Sequence, residues 1–477
     1  MSKHENRRTK IVCTLGPSSE SAEKIEGLID AGMNVARLNF SHGSHDEHAA
    51  RMKLIREIAA RKDTPVAILQ DLSGPKIRVG KVAGAVPLEK NADFVLYANE
   101  RIGDQTGAST TYPKIVDVVK PGEQILLADG SIALQVLERT EAGLRCRVES
   151  PGILSSNKGV NLPSSSFGIP SLTSKDLKDL EFGLSKNVDY LALSFVREKQ
   201  DVLTLKQLVK VAGKETPIIA KIEKGEALAN IDEIIDAADG VMVARGDLAV
   251  EVALERVPVL QKMIIARCNK VGKPVITATQ MLKTMVESPR PTRAEAADVA
   301  NAVLDGTDAV MLSEETAIGK YPVETVSTMC KIVRVAEKDL KSRGEAFQSQ
   351  KTGKMLEVPA SVSRAAILLA KDLKASAIVT PTKSGSTARM VARFRPGMPI
   401  IALCTDEAVQ RRLSMVWGVK PFLITEETSS DEILAAAMQK IQKFGLVNTG
   451  DRVVITAGVP IGVAGTTNLI KVEEIAA

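Results

Sequence analysis

The sequence predicts an α/β protein built around a (β/α)8 barrel. Short β-branched runs alternate with longer helical patterns through most of the chain, which is typical of βα units with parallel strands. Eight such runs can be counted, and setting aside one segment of different character leaves about 250 residues, the usual length of this barrel. Aromatic residues make up 3% of the sequence and hydrophobic residues 44%, so we expect aliphatic cores, as in parallel strands covered by helices.

The eight predicted barrel strands fall into two groups along the chain. We place them at residues 10–16, 34–40, 66–71, 190–195, 217–223, 240–245, 274–279 and 308–313. With 477 residues the chain exceeds what one hydrophobic core usually fills, so two to four domains are expected. The long gap between the third and fourth strands indicates a domain inserted into a loop of the barrel.

The inserted segment, residues 72–166, differs in pattern from the barrel. It carries Gly and Pro punctuation and strand-like stretches such as QILLADGSIALQVLERT, in which Asp129 and Gly130 predict a hairpin turn. We therefore predict a small β-barrel domain there, with 1–71 and 167–345 forming the large barrel.

A third unit is predicted at 346–477. It begins with a helical pattern, SVSRAAILLAKDLKA, and continues with the strand-like runs SAIVTPT, PIIALC and RVVITAG. This order is typical of an open α/β sheet. A polar stretch at 338–356 is expected to connect it to the barrel.

Charge, hydropathy and cysteine content exclude several classes of protein. The net charge of +5, from 63 basic and 58 acidic residues, indicates local anion sites rather than a nucleic-acid partner. No apolar run reaches the roughly 18 residues that span a membrane, and no signal peptide is recognisable. Five scattered cysteines without metal-type spacing are typical of free thiols in a reducing cytoplasm.

Polar side chains gather at the C-terminal ends of the predicted strands. In such barrels the working residues lie at this end, because the βα loops meet there. The set on this rim is Arg37, Asn39, Ser41, Asp71, Lys76, Arg78, Lys221, Glu223, Asp247, Thr279, Ser313 and Glu315.

Two carboxylates on this rim predict a divalent metal site. Lys221 and Glu223 lie two apart on one strand and so point to the same face, and Asp247 follows the next strand. Carboxylates without His or Cys ligands suit Mg2+ or Mn2+. The alternative for Lys221 and Glu223 is a solvated strand edge. Gly246 opens a short helix whose free N–H groups could hold an anion, the alternative being an ordinary Asp cap.

Three other motifs have weaker functional interpretations. His42, His45 and His48 follow one another at a spacing of three, and we expect them on the solvent face of a helix, binding no metal, with His42 close enough to the rim to contact a ligand. Thr292 and Glu295 form a capping box. In the third unit, a turn that could cradle a phosphate, or be only a capped βα turn, comprises Thr382, Lys383, Ser384, Gly385, Ser386 and Thr387.

The motifs taken together resemble the pyruvate kinase family. They are RLNFSHG, DLSGPKIR, NKGVNLP, AKIE, MVARGDL, TATQML, PTRAEAADVANAVLDGTDAVMLSEETA and GKYP, in this order over most of the chain. The resemblance implies transfer of the phosphoryl group of phosphoenolpyruvate to ADP, giving pyruvate and ATP. It also implies a homotetramer, activation by a phosphorylated metabolite through the third unit, and the inserted domain acting as a lid.

The resemblance assigns roles to the rim residues. Glu223 and Asp247 would hold Mg2+ or Mn2+, and Lys221 would neutralise the migrating phosphoryl group and the enolate oxygen. Arg37 would bind the phosphate, while the backbone of Arg245, Gly246 and Asp247, with Thr279, would bind the carboxylate. Thr279 and Ser313, with Glu315 behind them, are candidates for the proton relay. Asn39, Ser41, His42, Arg78 and Lys158 would line the nucleotide and cation side.

One departure from the family bears on monovalent ions. Many relatives have Glu where this chain has Lys76, and bind K+ through residues matching Asn39, Ser41, Asp71 and the carbonyl of the next residue, often Thr but here Leu72. Lys76 and Leu72 resemble the branch in which an ammonium group replaces the ion. We therefore expect Lys76 near Asp71 and activity without K+. Ala249 and Glu314 also depart from the family pattern, so Glu315 rather than Glu314 carries the conserved role.

Two alternative functions remain open at this point. A metal-dependent aldolase or lyase would also bind a pyruvate enolate on such a rim, but would have no use for the inserted domain. A metabolite sensor that binds only at the 382–387 turn would be expected to have lost rim residues such as Lys221 and Glu223, which are present.

Overall fold

The computed structural model describes residues 7–163, 170–342, 357–424, 438, 441–442, 445–458 and 467–475. Its first elements are β1 (Lys10–Thr14), α1 (Ala22–Ala31), β2 (Val35–Asn39), α2 (His45–Arg61) and β3 (Ala67–Asp71). Ser21 caps the start of α1, and Gly32, with φ 119°, ends it. Ser44 and Glu47 form a capping box at α2, so each helix start here is encoded locally.

The inserted segment is a domain made mainly of β-strands, with its own core. Its elements are β4 (Val86–Leu88), β5 (Asp93–Tyr97), β6 (Gly107–Ser109), α3 (Ile115–Val118), β7 (Gln124–Leu127), β8 (Ile132–Arg139), β9 (Gly143–Ser150), β10 (Gly152–Leu154) and β11 (Val160–Asn161). The main sheet has the order β11-β7-β8-β9-β5-β6, and β10 pairs with β4. Isolated bridges join Arg78 to Gly159, beside β11, and Val79 to Thr110, beside β6. The stretch that contains Arg78 and Val79 therefore connects the two edges of the main sheet, and the sheet closes into a small barrel.

The predicted hairpin is confirmed. β7 and β8 pair antiparallel, with Leu127 opposite Ile132. Asp129 and Gly130 between them have φ of 54° and 84°, the left-handed values that tight hairpin turns require.

The remaining barrel elements follow the insertion. They are α4 (Ser174–Ser185), β12 (Tyr190–Leu193), α5 (Lys199–Val211), β13 (Ile218–Ile222), α6 (Glu226–Ala229), α7 (Ile231–Ala237), β14 (Gly240–Ala244), α8 (Arg245–Glu251), a 3-10 turn (Leu254–Arg256), α9 (Val257–Val271), β15 (Val275–Ala278), a second 3-10 turn (Lys283–Val286), α10 (Arg293–Leu304), β16 (Ala309–Leu312), α11 (Glu314–Ala317) and α12 (Pro322–Ser342). The capping box of Thr292 and Glu295 opens α10 as predicted.

Eight parallel strands close the large barrel. Their order is β1-β16-β15-β14-β13-β12-β3-β2, and β3 pairs directly with β12 across the insertion. All eight predicted strands are confirmed, and each observed end lies within two residues of the predicted one. The C-terminal ends of the strands, and with them the predicted rim, lie at one end of this barrel.

The third unit is an open sheet flanked by helices, as predicted. Its elements are α13 (Val358–Asp372), β17 (Ala377–Pro381), α14 (Ser386–Ala392), β18 (Ile400–Cys404), α15 (Glu407–Leu413), β19 (Val419–Leu423), β20 (Arg452–Gly458) and β21 (Thr467–Glu474). The sheet order is β19-β18-β17-β20-β21, with β21 antiparallel to β20. β19 and β21 were not predicted.

The third unit covers the end of the barrel opposite the rim. Met415 packs into the core inside the barrel, among the inward-facing residues of its strands. Arg395 donates to Asp308 at 2.8 Å, and both side chains are about 95% buried. Lys10, at the start of β1, donates to the Val419 carbonyl at 2.7 Å.

Two of the predicted domain boundaries, near 166 and 345, lie outside the described residues and remain predictions, as does most of the 338–356 linker. Its first residues, up to 342, belong to α12. Among the described helices, none combines the length and apolarity needed to cross a bilayer. All five cysteines are buried, and none forms a disulfide.

Candidate active site

Asp71, the last residue of β3, joins two cations at the centre of the rim. Its Oδ2 accepts from Arg37 Nε at 2.6 Å, and its Oδ1 lies 3.1 Å from Lys221 Nζ. Arg37 also donates to the Thr14 hydroxyl at 2.8 Å. Asp71 is 1% exposed, so its charge is compensated by these two side chains rather than by water.

The Lys221 ammonium, on β13, lies against three oxygen-bearing side chains. Besides Asp71, the ammonium contacts Glu223 Oε1 at 2.9 Å and donates to the Ser194 hydroxyl at 2.6 Å. The expectation that Lys221 and Glu223 share one face of the strand agrees with this contact. Lys221 is 8% exposed and Glu223 2%, so the two do not form a solvated strand edge.

The charges of this cluster are mutually stabilised. Burial alone would raise the pKa of Asp71, but the charges of Lys221 and Arg37 bring it below its ordinary value. Burial would lower the pKa of Lys221, but Asp71 and Glu223 raise it above the ordinary value. Asp71 is therefore a carboxylate and Lys221 an ammonium ion at neutral pH.

Glu223 and Asp247, predicted from the sequence as a pair of metal ligands, lie close enough for their charges to interact. Glu223 Oε2 accepts from the Phe195 N–H at 2.7 Å, and Asp247 lies in the first turn of α8. Burial raises the pKa of Glu223, and the nearby charge of Asp247 raises it further. Two carboxylates that repel each other in this way fit a divalent cation. Within the described ranges no cluster of three or more His, Cys, Asp or Glu residues has a metal-binding arrangement.

Thr279 is held in a strained conformation beside α8. It has φ 70° and the next residue, Gln280, has φ 55°, values that are rare for residues with a side chain and cluster at functional sites. The Thr279 hydroxyl accepts from the Gly246 N–H at 2.8 Å and donates to the Ala278 carbonyl at 2.6 Å. Gly246 and Thr279, both predicted to bind the substrate carboxylate, are thus in contact.

The Arg245 guanidinium supports this turn. It donates to the Thr279 carbonyl at 2.7 Å, to the Ala278 carbonyl at 3.1 Å and to Asp298 at 2.6 Å. The side chain is therefore engaged with protein groups, and only the backbone of Arg245 is available for the predicted carboxylate site.

Ser313 and Glu315 follow β16. Glu315 is 1% exposed, and its oxygens accept from the N–H groups of Ser313 at 2.7 Å and Leu282 at 3.1 Å. Glu315 therefore lies behind Ser313, as expected, and fixes the backbone on both sides of the proposed proton relay.

The residues predicted for the nucleotide side are more exposed. Ser41, His42 and Lys158 are exposed, and Asn39 and Arg78 are partly buried. Asn39 Oδ1 accepts from the Ser41 N–H at 3.1 Å, and Arg78 donates to the Asn157 carbonyl at 3.0 Å.

The prediction that all three histidines lie on the solvent face of a helix is wrong for His48. This residue is 2% exposed, its ring stacks on Phe40 at 4.0 Å between centroids, and Nε2 contacts the His42 carbonyl at 2.9 Å. The burial arises because α2 packs this face against the loop after β2, so His48 supports the loop that carries Ser41 and His42.

Lys76 was expected near Asp71, but its ion-pair partner is Asp247. Its ammonium lies 3.6 Å from Asp247 Oδ1, whereas Asp71 is paired with Arg37 and Lys221. The reason is geometric, since the chain turns at Gly74, with φ 67°, before Lys76 leaves the barrel. Leu72, which directly follows Asp71 in the sequence, is buried.

The turn at 382–387 lies between β17 and α14. Gly385 has φ 78°, Lys383 is exposed, and Ser384 Oγ contacts Ser386 Oγ at 3.2 Å. The Thr382 hydroxyl is buried without a hydrogen-bond partner in the described structure, while Thr387 bonds Thr467 at 2.9 Å.

Sequence reasoning missed two residues of this site. Thr14 ends β1 and contacts Arg37, and Ser194 follows β12 and contacts Lys221. Both lie at C-terminal strand ends, so the rule that located the other rim residues could have identified them had it been applied to the first and fourth strands.

Comparisons with known proteins agree with this geometry. The family model for the pyruvate kinase barrel domain matches residues 6–326, and the model for the pyruvate kinase alpha/beta domain matches residues 360–473. The chain is 49% identical to a pyruvate kinase of Geobacillus stearothermophilus, over 98% of this chain and 80% of that protein. It is 45% identical to a pyruvate kinase of Clostridium acetobutylicum, over 98% of this chain and 100% of the relative. A crystal structure of a pyruvate kinase from Cryptosporidium parvum superposes with a TM-score of 0.92 at 37% identity, covering 99% of this chain and 97% of that one.

Proposed function

The chain belongs to the pyruvate kinase family and is a phosphotransferase, and from this premise we propose how its rim transfers the phosphoryl group of phosphoenolpyruvate to ADP, giving pyruvate and ATP. The observation that supports the proposal best is the buried Lys221 ammonium between Asp71 and Glu223. Phosphoryl transfer asks the protein mainly for positioning and for positive charge where oxyanions develop, and this cluster offers both.

Lys221 neutralises charge on the phosphoryl group in transfer and on the enolate oxygen that is released. Arg37 binds the phosphate from the neighbouring strand, oriented by Asp71 and Thr14. Asp71 positions both Arg37 and Lys221, because its single carboxylate forms an ion pair with each of them.

Glu223 and Asp247 would hold Mg2+ or Mn2+, which when bound supplies positive charge to the substrate and phosphoryl oxygens. The α8 backbone at Gly246, with Thr279, binds the substrate carboxylate. Thr279 and Ser313 are the candidates for delivering the proton to the enolate carbon. Asn39, His42, Arg78 and Lys158 line the side from which ADP approaches.

The proposed role of Lys221 is tested by a coupled assay of pyruvate formation from phosphoenolpyruvate and ADP. Lys221→Ala should lower kcat at least about 1000-fold, because a charge that acts in the transition state is lost. Lys206→Ala is the matched control, since Lys206 forms a half-buried ion pair with Asp239 away from the rim, and its kcat should be unchanged. A Lys221→Ala enzyme with kcat within tenfold of the parent would contradict the proposal.

We also propose that activity does not require K+. Both oxygens of Asp71 are engaged by Arg37 and Lys221, and Lys76 brings a fixed ammonium to the site beside Asp247. These contacts support the view that side-chain charge does the work of a monovalent ion, although Lys76 acts from the Asp247 side.

The test is an assay in buffer free of Na+ and K+ with tetramethylammonium as counter-ion. The parent should keep most of its rate, and Lys76→Glu should lose activity that K+ restores. Lys81→Glu makes the same charge change at an exposed position of the inserted segment and should show no K+ effect. Loss of most of the parent's rate without K+ would refute the idea.

A phosphorylated activator is proposed to bind the turn 382–387. The unpartnered Thr382 hydroxyl, the exposed Lys383 and the positive φ of Gly385 support a phosphate cradle there. A panel of sugar phosphates and nucleoside monophosphates should contain compounds that lower the phosphoenolpyruvate concentration for half-maximal rate. Lys383→Ala should abolish that effect and keep the basal rate, and a panel without any activator would count against this site.

Assembly and location are proposed from family membership. We propose a homotetramer, which sedimentation-velocity measurement of the full chain tests directly. A cytoplasmic location is supported by five buried cysteines that form no disulfide, and cell fractionation tests it.

A further inference from the structure

Ser194, directly after β12, contacts two groups of the proposed site. Its hydroxyl accepts from Lys221 Nζ at 2.6 Å and donates to the Leu72 carbonyl at 2.8 Å. The residue is 2% exposed, so water does not compete for either bond. Neither the sequence motifs nor the roles proposed above include this serine.

Chemistry fixes the direction of these two bonds. An ammonium group has only donors and a carbonyl only accepts. The Ser194 oxygen must therefore accept from Lys221, and its single proton must go to Leu72. The hydroxyl has one orientation, and it aims a lone pair at the ammonium.

Ser194 is the neutral partner among the three acceptors of Lys221. The other two are carboxylates, Asp71 and Glu223, at 3.1 and 2.9 Å. Without the hydroxyl one N–H of a buried ammonium would be unpaired, and only the two carboxylates would fix the position of Lys221.

The serine itself has little freedom to move. A Cβ placed on Gly74 would lie 2.9 Å from the Ser194 Cβ and 2.8 Å from a ring carbon of Phe195. The turn at Gly74 therefore packs directly on Ser194. The hydroxyl is held by the chain that leads into the inserted domain, as well as by its own hydrogen bonds.

We propose that Ser194 is a positioning residue for phosphoryl transfer, an inference that rests on the role proposed for Lys221. Together with the two carboxylates it fixes the ammonium in the position where it meets the transferred phosphoryl group. Because Arg37 and the metal-binding carboxylates are untouched, Ser194 affects the rate of the chemical step more than the binding of phosphoenolpyruvate.

The experiment compares Ser194→Ala with Ser414→Ala in the full chain. Ser414 is a matched control: it is 3% exposed, and its hydroxyl donates to a backbone carbonyl, that of Pro65, at 2.9 Å. We expect Ser194→Ala to lower kcat by about 10- to 100-fold, the effect of losing one hydrogen bond to a charged group, with KM for phosphoenolpyruvate changed less than threefold. Ser414→Ala should keep kcat.

A second readout distinguishes positioning from general loosening. Because Ser194 acts on Lys221 and not on the groups that bind the substrate, the loss in Ser194→Ala should fall on kcat with KM for phosphoenolpyruvate changed less than threefold, whereas general loosening of the rim would raise KM as well. If Ser194→Ala does not fold, Ser194→Cys serves instead, because its thiol is a weak acceptor, with kcat lowered about three- to tenfold. Equal kcat values for the Ser194 and Ser414 variants, or a loss in Ser194→Ala carried mainly by KM, would overturn the inference.

A third arm separates this inference from the proposed function. In a Lys221→Ala background, adding Ser194→Ala should leave the residual rate unchanged, because the serine acts through the lysine. If Lys221→Ala alone keeps its rate, the proposed role of Lys221 fails. If Lys221→Ala is inactive and Ser194→Ala is unaffected, only the role of Ser194 fails.

Discussion

At the scale of single residues, the site depends on a carboxylate shared by two cations. Asp71 is 1% exposed and bonds both Arg37 and Lys221. A buried ion that loses its partner lowers the stability of the fold, whereas a well-packed set of opposite charges can have little net effect on that stability. Asp71 therefore affects both stability and rate, through the positions of the two cations.

Asp71→Asn keeps the shape of the side chain and removes its charge. We expect the free energy of unfolding to fall by about 3–5 kcal/mol, because Arg37 and Lys221 remain buried without their common counter-charge, and kcat to fall at least about 100-fold. Urea unfolding and the coupled assay measure the two effects. The control is Asp117→Asn, in an ion pair with Arg139 whose partners are both more than half exposed, where no measurable change is expected. Equal stabilities of the two variants would contradict this view.

At the scale of elements, Asp176 joins both chain crossings between the barrel and the inserted domain. It is fully buried and belongs to the capping box of α4 with Thr173, whose N–H and hydroxyl donate to Oδ2 at 2.8 and 2.6 Å. Its other oxygen accepts from the Gly74 N–H at 3.1 Å. One helix cap therefore also fixes the turn at which the chain enters the inserted domain.

Asp176→Ala should lower the free energy of unfolding by about 2–3 kcal/mol, because a helix cap is lost and buried donors are left unpaired. Amide hydrogen exchange in a peptide covering 72–76 should accelerate as well. Ser21→Ala is the control: this residue caps α1 through the Lys24 N–H, and within the described residues its side chain has no hydrogen bond to the inserted domain. Unchanged exchange at 72–76 in Asp176→Ala would show that the cap does not hold this turn.

The elements also show what the sequence could and could not predict. The eight barrel strands were recognisable because each is a short, buried, β-branched run between helical patterns. β19 was missed because it contains Pro421, and β21 because its exposed face makes TNLIKVEE polar. At the site, strand ends located Lys221, Glu223 and Asp247. The partner of Lys76 and the link through Ser194 depend on tertiary contacts between segments far apart in sequence, which no local pattern encodes.

At the scale of the whole molecule, the contact between barrel and third unit contains a buried lysine. Lys10 is 7% exposed and donates to the Val419 carbonyl. Burial, with the charges of Arg7 and Lys420, lowers its pKa to about 7. The unfolded chain keeps an ordinary lysine pKa, so between pH 7 and about 10 the unfolded state binds more protons than the folded one.

The free energy of unfolding should therefore rise with pH through this window, with a contribution from Lys10 of up to about 1.4 kcal/mol per pH unit. Below pH 7 both states are charged, and this group adds no further slope. Urea unfolding at pH 7, 8 and 9 should show a smaller slope for Lys10→Met than for the parent, while Lys53→Met, at a lysine 76% exposed, should follow the parent. Identical slopes for Lys10→Met and the parent would rule out this contribution.

The Met415 side chain inside the barrel has a consequence for biosynthesis. The ribosome releases the eight barrel strands long before it reaches residue 415, which belongs to the core that those strands enclose. A nascent chain can thus pair all its barrel strands while the apolar interior of the barrel still lacks the Met415 side chain. We expect the barrel to acquire its final rigidity only after most of the third unit has been translated. A fragment ending near 345 should be prone to aggregation through the apolar surface that Met415 would otherwise cover.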